Sequence, residues 1–342
     1  MVKRVSIAEI DKNRCTGCKA CSSVCNVDAI AFGFDADGFW YPVVDDQRCV
    51  KCGLCYKKCP ALAAPKEQQL LAVYAAKSCD DEIRLASTSG GLFSEFAKTF
   101  LDGCGYVSGA VYTEKWTAKH ILTNVREELK YLRKSKYMQS DMGGIYSEIH
   151  DKLHDNKVLF CGTPCQVAAV HYFLGDNTKN LYTIDFICRG VFSPGVYREY
   201  LDELEREYGS KIANVWVKNK ELGWHSLGIR IDFENGQTYM KPALEDKFGE
   251  RYLIRNTCIR PSCFDCSFKG KHRMSDITIG DFWGLNDSEL DDNLGTSVVI
   301  VNSAKGEEMF DSVKDRCLYK KMTIEDVVRG NPCYEQSVER KD

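Results

Sequence analysis

The tightest constraint on this chain is a cysteine run that occurs twice. Residues 15–25 read Cys15-Thr-Gly-Cys18-Lys-Ala-Cys21-Ser-Ser-Val-Cys25, and residues 49–60 read Cys49-Val-Lys-Cys52-Gly-Leu-Cys55-Tyr-Lys-Lys-Cys59-Pro60. Each is C-x2-C-x2-C-x3-C. The short spacers bring three thiolates onto one tight loop, where they cap three corners of an iron-sulfur cube. The fourth cysteine lies too far along to close the same cube and crosses to the other. Cys15, Cys18, Cys21 and Cys59 then hold one 4Fe-4S cluster, and Cys49, Cys52, Cys55 and Cys25 hold the second. Structural zinc and a disulfide framework are the competing readings. Four thiolates per zinc would use two C-x2-C pairs rather than two runs of four with equal internal spacing.

This is the arrangement of bacterial-type two-cluster ferredoxins, except that Asn26 stands where they usually carry Pro. At 342 residues the chain is too long for that unit alone and has material for about two or three domains. A net charge of −3, with no basic stripe, gives a nucleic-acid partner no electrostatic support. The first ten residues hold no apolar core of signal-peptide length, and no apolar run approaches a membrane span. Eighteen cysteines without an export signal therefore point to a reducing, cytoplasmic setting, in an oxygen-poor host if the clusters are exposed.

The composition shifts at Pro60–Gln69, which reads as a linker and puts a boundary near residue 66. Before it, Val27–Phe32 and Phe39–Val44 supply short strands. Beyond it, strand-like and helix-like segments alternate: strands at 71–76, 106–112, 158–160 and 181–187, helices at 91–101, 145–153 and 167–174. That alternation predicts a mixed sheet with flanking helices. Segments 215–217 and 227–233, followed by Asn235-Gly236, predict an antiparallel section.

Several stretches outside the cysteine runs carry chemistry. Ser87-Thr-Ser89-Gly90-Gly91 opens a helix, and small residues there let a phosphate approach free backbone N–H groups; an ordinary cap with a glycine turn has the same composition. Cys161-Gly162-Thr163-Pro164-Cys165-Gln166 is a strand-turn-helix unit whose N–H groups form an anion nest, with Cys161 and Cys165 read as small packing residues. Arg133-Lys-Ser-Lys136-Tyr-Met-Gln139-Ser140 concentrates cations and donors in one loop, which is either a solvated surface or a phosphate-facing one. Cys258, Cys263 and Cys266 can cap three irons with Cys188 as the candidate fourth, or bind zinc with equal spacing logic. Gly280-Asp-Phe-Trp283-Gly284 ends a strand in an aromatic turn, either core packing or a wall of a ligand site, and His225 reads as a surface or packing residue.

Taken together, Ser89–Phe93, Lys136–Ser140, Cys161–Gln166, Cys188-Arg189-Gly190-Val191, the Cys258 group and Gly280–Gly284 resemble the coenzyme F420 hydrogenase/dehydrogenase beta-subunit family in the form with an N-terminal ferredoxin domain. The resemblance implies an α+β chain: a two-cluster ferredoxin domain over 1–66, then a larger α/β flavin-binding domain over 67–342. It implies FAD lined by Ser87, Ser89, Gly90, Gly91, Lys136, Gln139, Ser140, Gly162, Thr163 and Pro164, and a third 4Fe-4S cluster on Cys188, Cys258, Cys263 and Cys266. Arg189 stands where many relatives carry His. A flavin exchanges hydride with organic partners and single electrons with clusters, so an oxidoreductase is expected. Its partners would be ferredoxin or another redox protein, and F420 or another small reducible metabolite, in a complex subunit or a homo-oligomer. The alternatives are a non-catalytic electron-transfer subunit of a larger hydrogenase or dehydrogenase, or an F420-independent reductase of a sugar or other small intermediate.

Overall fold

The computed structural model describes residues 6–64 and 66–341; the first five residues of the N-terminal stretch and Pro65 of the linker lie outside the described residues. In the cysteine runs two loops repeat one backbone. Gly17 (φ 65°) matches Lys51 (φ 54°), and Lys19 (φ 65°) matches Gly53 (φ 77°). Left-handed residues at these points coil each run so that successive cysteines turn to the same side, ahead of the short helices α1 (Ala20–Ser23) and α2 (Leu54–Lys57). Between them strands β1 (Ile30–Phe34) and β2 (Trp40–Val44) pair antiparallel, Ile30 opposite Val44. Ile7, Val24 and Ala61 bury with Cys21, Cys55 and Cys59 in one apolar cluster.

The remainder is built on β3 (Ala72–Ser78), β4 (Tyr106–Tyr112), β5 (Ala118–Thr123), β6 (Ser140–Asp141), β7 (Val158–Gly162) and β8 (Leu181–Phe186), then β9 (Ile212–Asn219), β10 (Gly228–Phe233), β11 (Thr238–Pro242), β12 (Ile277–Asp281), β13 (Ser297–Val301) and β14 (Cys317–Lys321). A nine-stranded sheet runs β14-β3-β13-β12-β8-β7-β4-β5-β6, and β11-β10-β9 form a separate antiparallel sheet. β4, β7, β8 and β12 are mutually parallel; β13, β3 and β14 extend the sheet antiparallel. Central strands covered on both faces carry apolar runs rather than alternation, as in Val158-Leu159-Phe160, all fully buried.

Helices α3 (Leu92–Asp102), α4 (Ile145–Lys152), α5 (Pro164–Leu174) and α6 (Pro194–Tyr208) flank the sheets. α5 starts where Thr163 and Gln166 form a reciprocal capping box with Pro164 at the first turn. The fold departs from the sequence expectation in what it adds. Strands β5, β13 and β14 and the fifteen-residue α6 were not read from the pattern. α6 packs Tyr197, Tyr200 and Leu204 against the small sheet, with Ser193 capping its start and Gly209 (φ 60°) its end.

The cysteine-rich unit sits against the large sheet's helices. Ala20 packs with Met142, Ile145 and Tyr146. Tyr146 Oη donates to Cys18 O (2.6 Å), Lys19 pairs with Asp141 (2.7 Å), and Ser193 Oγ donates to Asp37 O (2.6 Å).

Candidate functional site

Burial pushes the Cys21 thiol well up, and Cys18, Cys15, Cys59 and Cys55 push it further. Burial, then Cys18, raises Cys59 to about 12. Cys59 and Cys21 therefore both lie within the field of Cys15 and Cys18, and Cys21 within that of Cys55 as well. In the second run, burial raises Cys55, with Cys52 and Cys49 adding to it. Thiols that repel one another in a buried pocket hold their protons until a metal takes their place, so the donor set fits a cluster of cations.

A second group of thiols lines a narrow pocket beyond the carboxyl ends of β7 and β8. Open α/β sheets bind ligands in that position. Cys165 comes from the first turn of α5, Cys188 follows β8, and Cys263 and Cys266 come from the loop before β12. Burial drives Cys165 well up, followed by Cys266, Cys188 and Cys263; burial raises Cys188 to about 11 and Cys263 to about 12. Two expectations are thereby corrected in placement. Cys165, read as a packing residue, faces the other three thiols. Cys258, expected among them, lies outside the pocket, in a left-handed turn (φ 58°) near Arg251, Asp37 and Glu199. Cys258 packs against the cluster built around the small sheet, as Cys263 also does. Among the described residues no three ligating side chains close to single-ion spacing, which the corners of a cube do not require.

Of the residues expected around a flavin, Gln139, Thr163 and Pro164 line this thiol pocket instead, together with Thr16 and Cys18 of the first cysteine run. Gln139 Nε2 donates to Thr16 O (2.9 Å). Ser140 is buried in a chain of hydrogen bonds between His120 (3.1 Å) and Gln166 (2.8 Å). Gly162 packs against the Phe160 ring, where a Cβ would come within 2.9 Å. Lys136 Nζ donates to Tyr131 O, Leu132 O and Arg133 O, capping a short helical turn, and burial lowers it to about 7.

The Ser87–Gly91 loop is held by protein partners. Ser87 is buried, Ser89 Oγ donates to Thr296 O (2.9 Å), and Gly90 N donates to Ser297 Oγ (3.0 Å). A Cβ on Gly90 would meet Ala76 O at 2.7 Å, and Gly91 has φ 88°, so close packing on β3 and β13 accounts for this glycine pair. The loop meets the 133–140 loop through Ser135 N, which donates to Thr88 Oγ1 (3.0 Å). Lys220, missed in the sequence, donates to Arg84 O, Ser89 O and Leu294 O, and burial lowers it to about 7. Lys134 Nζ lies 3.7 Å from the Trp216 ring centre, and the buried Trp216 Nε1 has no partner. Lys218 lies between Tyr137 and Trp283 and pairs with Asp281. Trp283 itself stacks on Trp224 at 4.4 Å. His225 is half-exposed and pairs with Asp291, and Arg189 anchors the 252–256 turn through Leu253 O.

Comparison with known proteins gives three domain matches. Residues 14–63 match a 4Fe-4S dicluster domain, 73–146 the N-terminal part of the coenzyme F420 hydrogenase/dehydrogenase beta subunit, and 155–327 its C-terminal part. An uncharacterized protein of Methanocaldococcus jannaschii is 25% identical, over 88% of this chain and 86% of its own length. The coenzyme F420-dependent sulfite reductase of the same organism is 23% identical, and the match spans 89% of this chain but 47% of the reductase. Among solved structures, a chain of the F420-reducing NiFe hydrogenase complex from Methanosarcina barkeri shares the fold with a TM-score of 0.55 at 19% identity, covering 78% of this chain and 87% of that one. The mixed sheet, the iron-sulfur domain and these matches agree: the chain belongs to the coenzyme F420 hydrogenase/dehydrogenase beta-subunit family and carries a 4Fe-4S dicluster domain.

Proposed function

We propose that the chain is an iron-sulfur flavoprotein oxidoreductase that moves electrons between a one-electron carrier, such as ferredoxin or a partner redox protein, and a hydride carrier, coenzyme F420 or another small reducible metabolite. The observation that carries this reading is the shared pocket: Thr16 and Cys18 of the first ferredoxin loop line the same space as Cys165, Cys188, Cys263 and Cys266. A third 4Fe-4S cluster on those four thiols would sit directly against the first. Cys165 supplies its fourth ligand in this assignment, and Cys258 none. The dicluster unit ends and the larger domain begins near residue 66.

FAD would supply the step between single electrons and hydride. The residues that would bind it are those where the Ser87–Gly91 and 133–140 loops meet. Lys134 offers positive charge beside Trp216, Lys218 lies between Tyr137 and Trp283 with its charge met by Asp281, and the unpartnered Trp216 N–H offers a donor. Lys220 holds Ser89 in place through its carbonyl, which fixes the loop. A second reading, an electron-transfer subunit whose chemistry lies on a partner, is favoured by one fact: the chain spans less than half of the sulfite reductase that it resembles.

The deciding experiment is anaerobic purification followed by iron, sulfide, zinc and flavin analysis of one sample, then F420 turnover. About twelve irons and one FAD per chain, with F420 reduced or oxidised by the isolated protein, is the expected result. About eight irons without flavin, even after reconstitution, would leave the electron-transfer subunit. Zinc in place of four irons would make the third site a structural staple.

A further inference from the structure

Arg260 has its backbone at one thiol site and its side chain at another. Its N–H donates to Val191 O (3.0 Å) and its carbonyl accepts from Cys263 N (2.9 Å), so the backbone belongs to the loop of the third pocket. Its side chain reaches the first ferredoxin loop. Nε donates to Cys15 O (2.7 Å), Nη1 to Gln139 Oε1 (2.7 Å) and Nη2 to Trp40 O (3.1 Å), and Nη2 also faces Cys15 Sγ at 3.7 Å. The guanidinium lies 4.4 Å from the Tyr41 ring centre and is 0% exposed. Room for it depends on Gly17, where a Cβ would come within 2.7 Å of Nη1.

Every oxygen that Arg260 touches is a neutral carbonyl or amide. Arginine cannot shed its proton in a protein, and a buried charge requires a counter-charge. Cys15 as an iron-bound thiolate, 3.7 Å from Nη2, can supply one, and Cys263, whose thiol burial raises and Arg260 lowers, is a second thiol within its field.

We propose that Arg260 is the buried counter-ion of the first ferredoxin cluster, a positioning residue that raises that cluster's reduction potential where it faces the third pocket. Reduction adds one electron and no proton, so the cube and its thiolates become one unit more negative. A fixed cation in a dry site stabilises that state over the oxidised one. The electron arrives from a one-electron donor, dithionite in the test below, and the cation is unchanged by its passage. The inference rests on the assignment of Cys15, Cys18, Cys21 and Cys59 to one cube.

The test is an anaerobic redox titration with dithionite, followed by electron paramagnetic resonance, on wild type, Arg260→Gln and Arg260→Lys, with iron and sulfide measured on each. Cys15→Ser identifies the signal of the first cluster; if it removes none, the cluster assignment fails, independently of Arg260. With full iron, Arg260→Gln is expected to lower that cluster's midpoint by at least a tenfold shift in its reduction equilibrium, 59 mV for one electron, while Arg260→Lys keeps it within threefold. Tyr146→Phe, which removes a neutral bond to Cys18 O at the same seam, is expected to leave the midpoint within threefold of wild type. An unchanged midpoint in Arg260→Gln at full iron overturns the proposal, as does an equal shift in Tyr146→Phe. Should Arg260→Gln lose iron, Arg260→Lys decides: a midpoint within threefold of wild type supports the proposal, and one lowered tenfold overturns it.

Discussion

At the scale of single residues, the cysteines divide by whether a backbone turn aims them at a common space. Cys165 and Cys258 make the sharpest contrast. Cys165→Ser should cost about four irons per chain, while Cys258→Ser should leave iron content at the wild-type level. Iron analysis of the two variants checks both, and the reverse pattern would restore Cys258 as ligand. The dicluster domain was legible because the spacing alone confines its cysteines. Cys165 was not, because its three partners arrive from 23 or more residues away, brought there by β8 and the loop before β12. A second prediction follows from the repeated loop geometry. Lys51 holds φ 54° where its counterpart in the first run is glycine, and it is exposed. A left-handed non-glycine residue is strained by about 1 kcal/mol, so Lys51→Gly should stabilise the holoprotein by about that much. Lys19→Gly should not, since Lys19 also pairs with Asp141 across the seam. Thermal unfolding midpoints of the two variants distinguish them.

At the scale of elements, one hydrogen-bonded chain ties the edge of the large sheet to the start of α5. His120 on β5 donates from Nε2 to Cys161 O (3.2 Å) and accepts at Nδ1 from Ser140 Oγ (3.1 Å). Ser140 accepts from Gln166, whose Oε1 accepts from Thr163 N (2.9 Å). Every member then has a partner only when the ring is neutral, and burial lowers His120 from 6.5 to about 4. Between those values the unfolded chain binds the proton and the folded one does not. Stability from this group is therefore full above pH 6.5 and is lost as pH falls toward 4, by about 1 kcal/mol at pH 5.5. Comparing denaturant midpoints of wild type and His120→Gln at pH 7.5 and 5.5 removes the acid lability of the clusters from the difference; a parallel loss in both would refute the assignment. The elements themselves were legible where apolar runs meet a cap or a glycine, as at β4, β7 and α5. β13 and β14 were not, since apolar runs such as Ser297–Val301 take their place in a sheet from partners far along the chain. The glycine pair of the expected flavin loop has two explanations for a related reason: a Gly-Gly turn suits a phosphate and a close strand equally, and here Ala76 and Ser297 pack against Gly90.

At the scale of the whole molecule, the thiol sites form a sequence with a definite outer end. Cys52 is exposed, and Val50 and Tyr56 beside it are 60% and 43% exposed. The other run is closed in: Cys15 and Cys21 are buried, Tyr146 bonds to Cys18 O, and Arg260 and Gln139 line the third pocket beside Thr16 and Cys18. An external protein carrier can approach the second cluster, and the first cluster then lies on the way inward. Docking at such an exposed edge governs the encounter, while a small reagent needs no docking surface. Cys52→Ser should therefore lose or degrade the second cluster and slow reduction by a reduced ferredoxin at least tenfold, yet leave reduction of the remaining centres by dithionite within a few-fold of wild type. Anaerobic stopped-flow with each donor, on protein whose residual iron has been measured, separates the two rates. Equal rates with ferredoxin in wild type and Cys52→Ser would mean that electrons enter elsewhere, and the first cluster or the third pocket would then have to be reached directly across the seam.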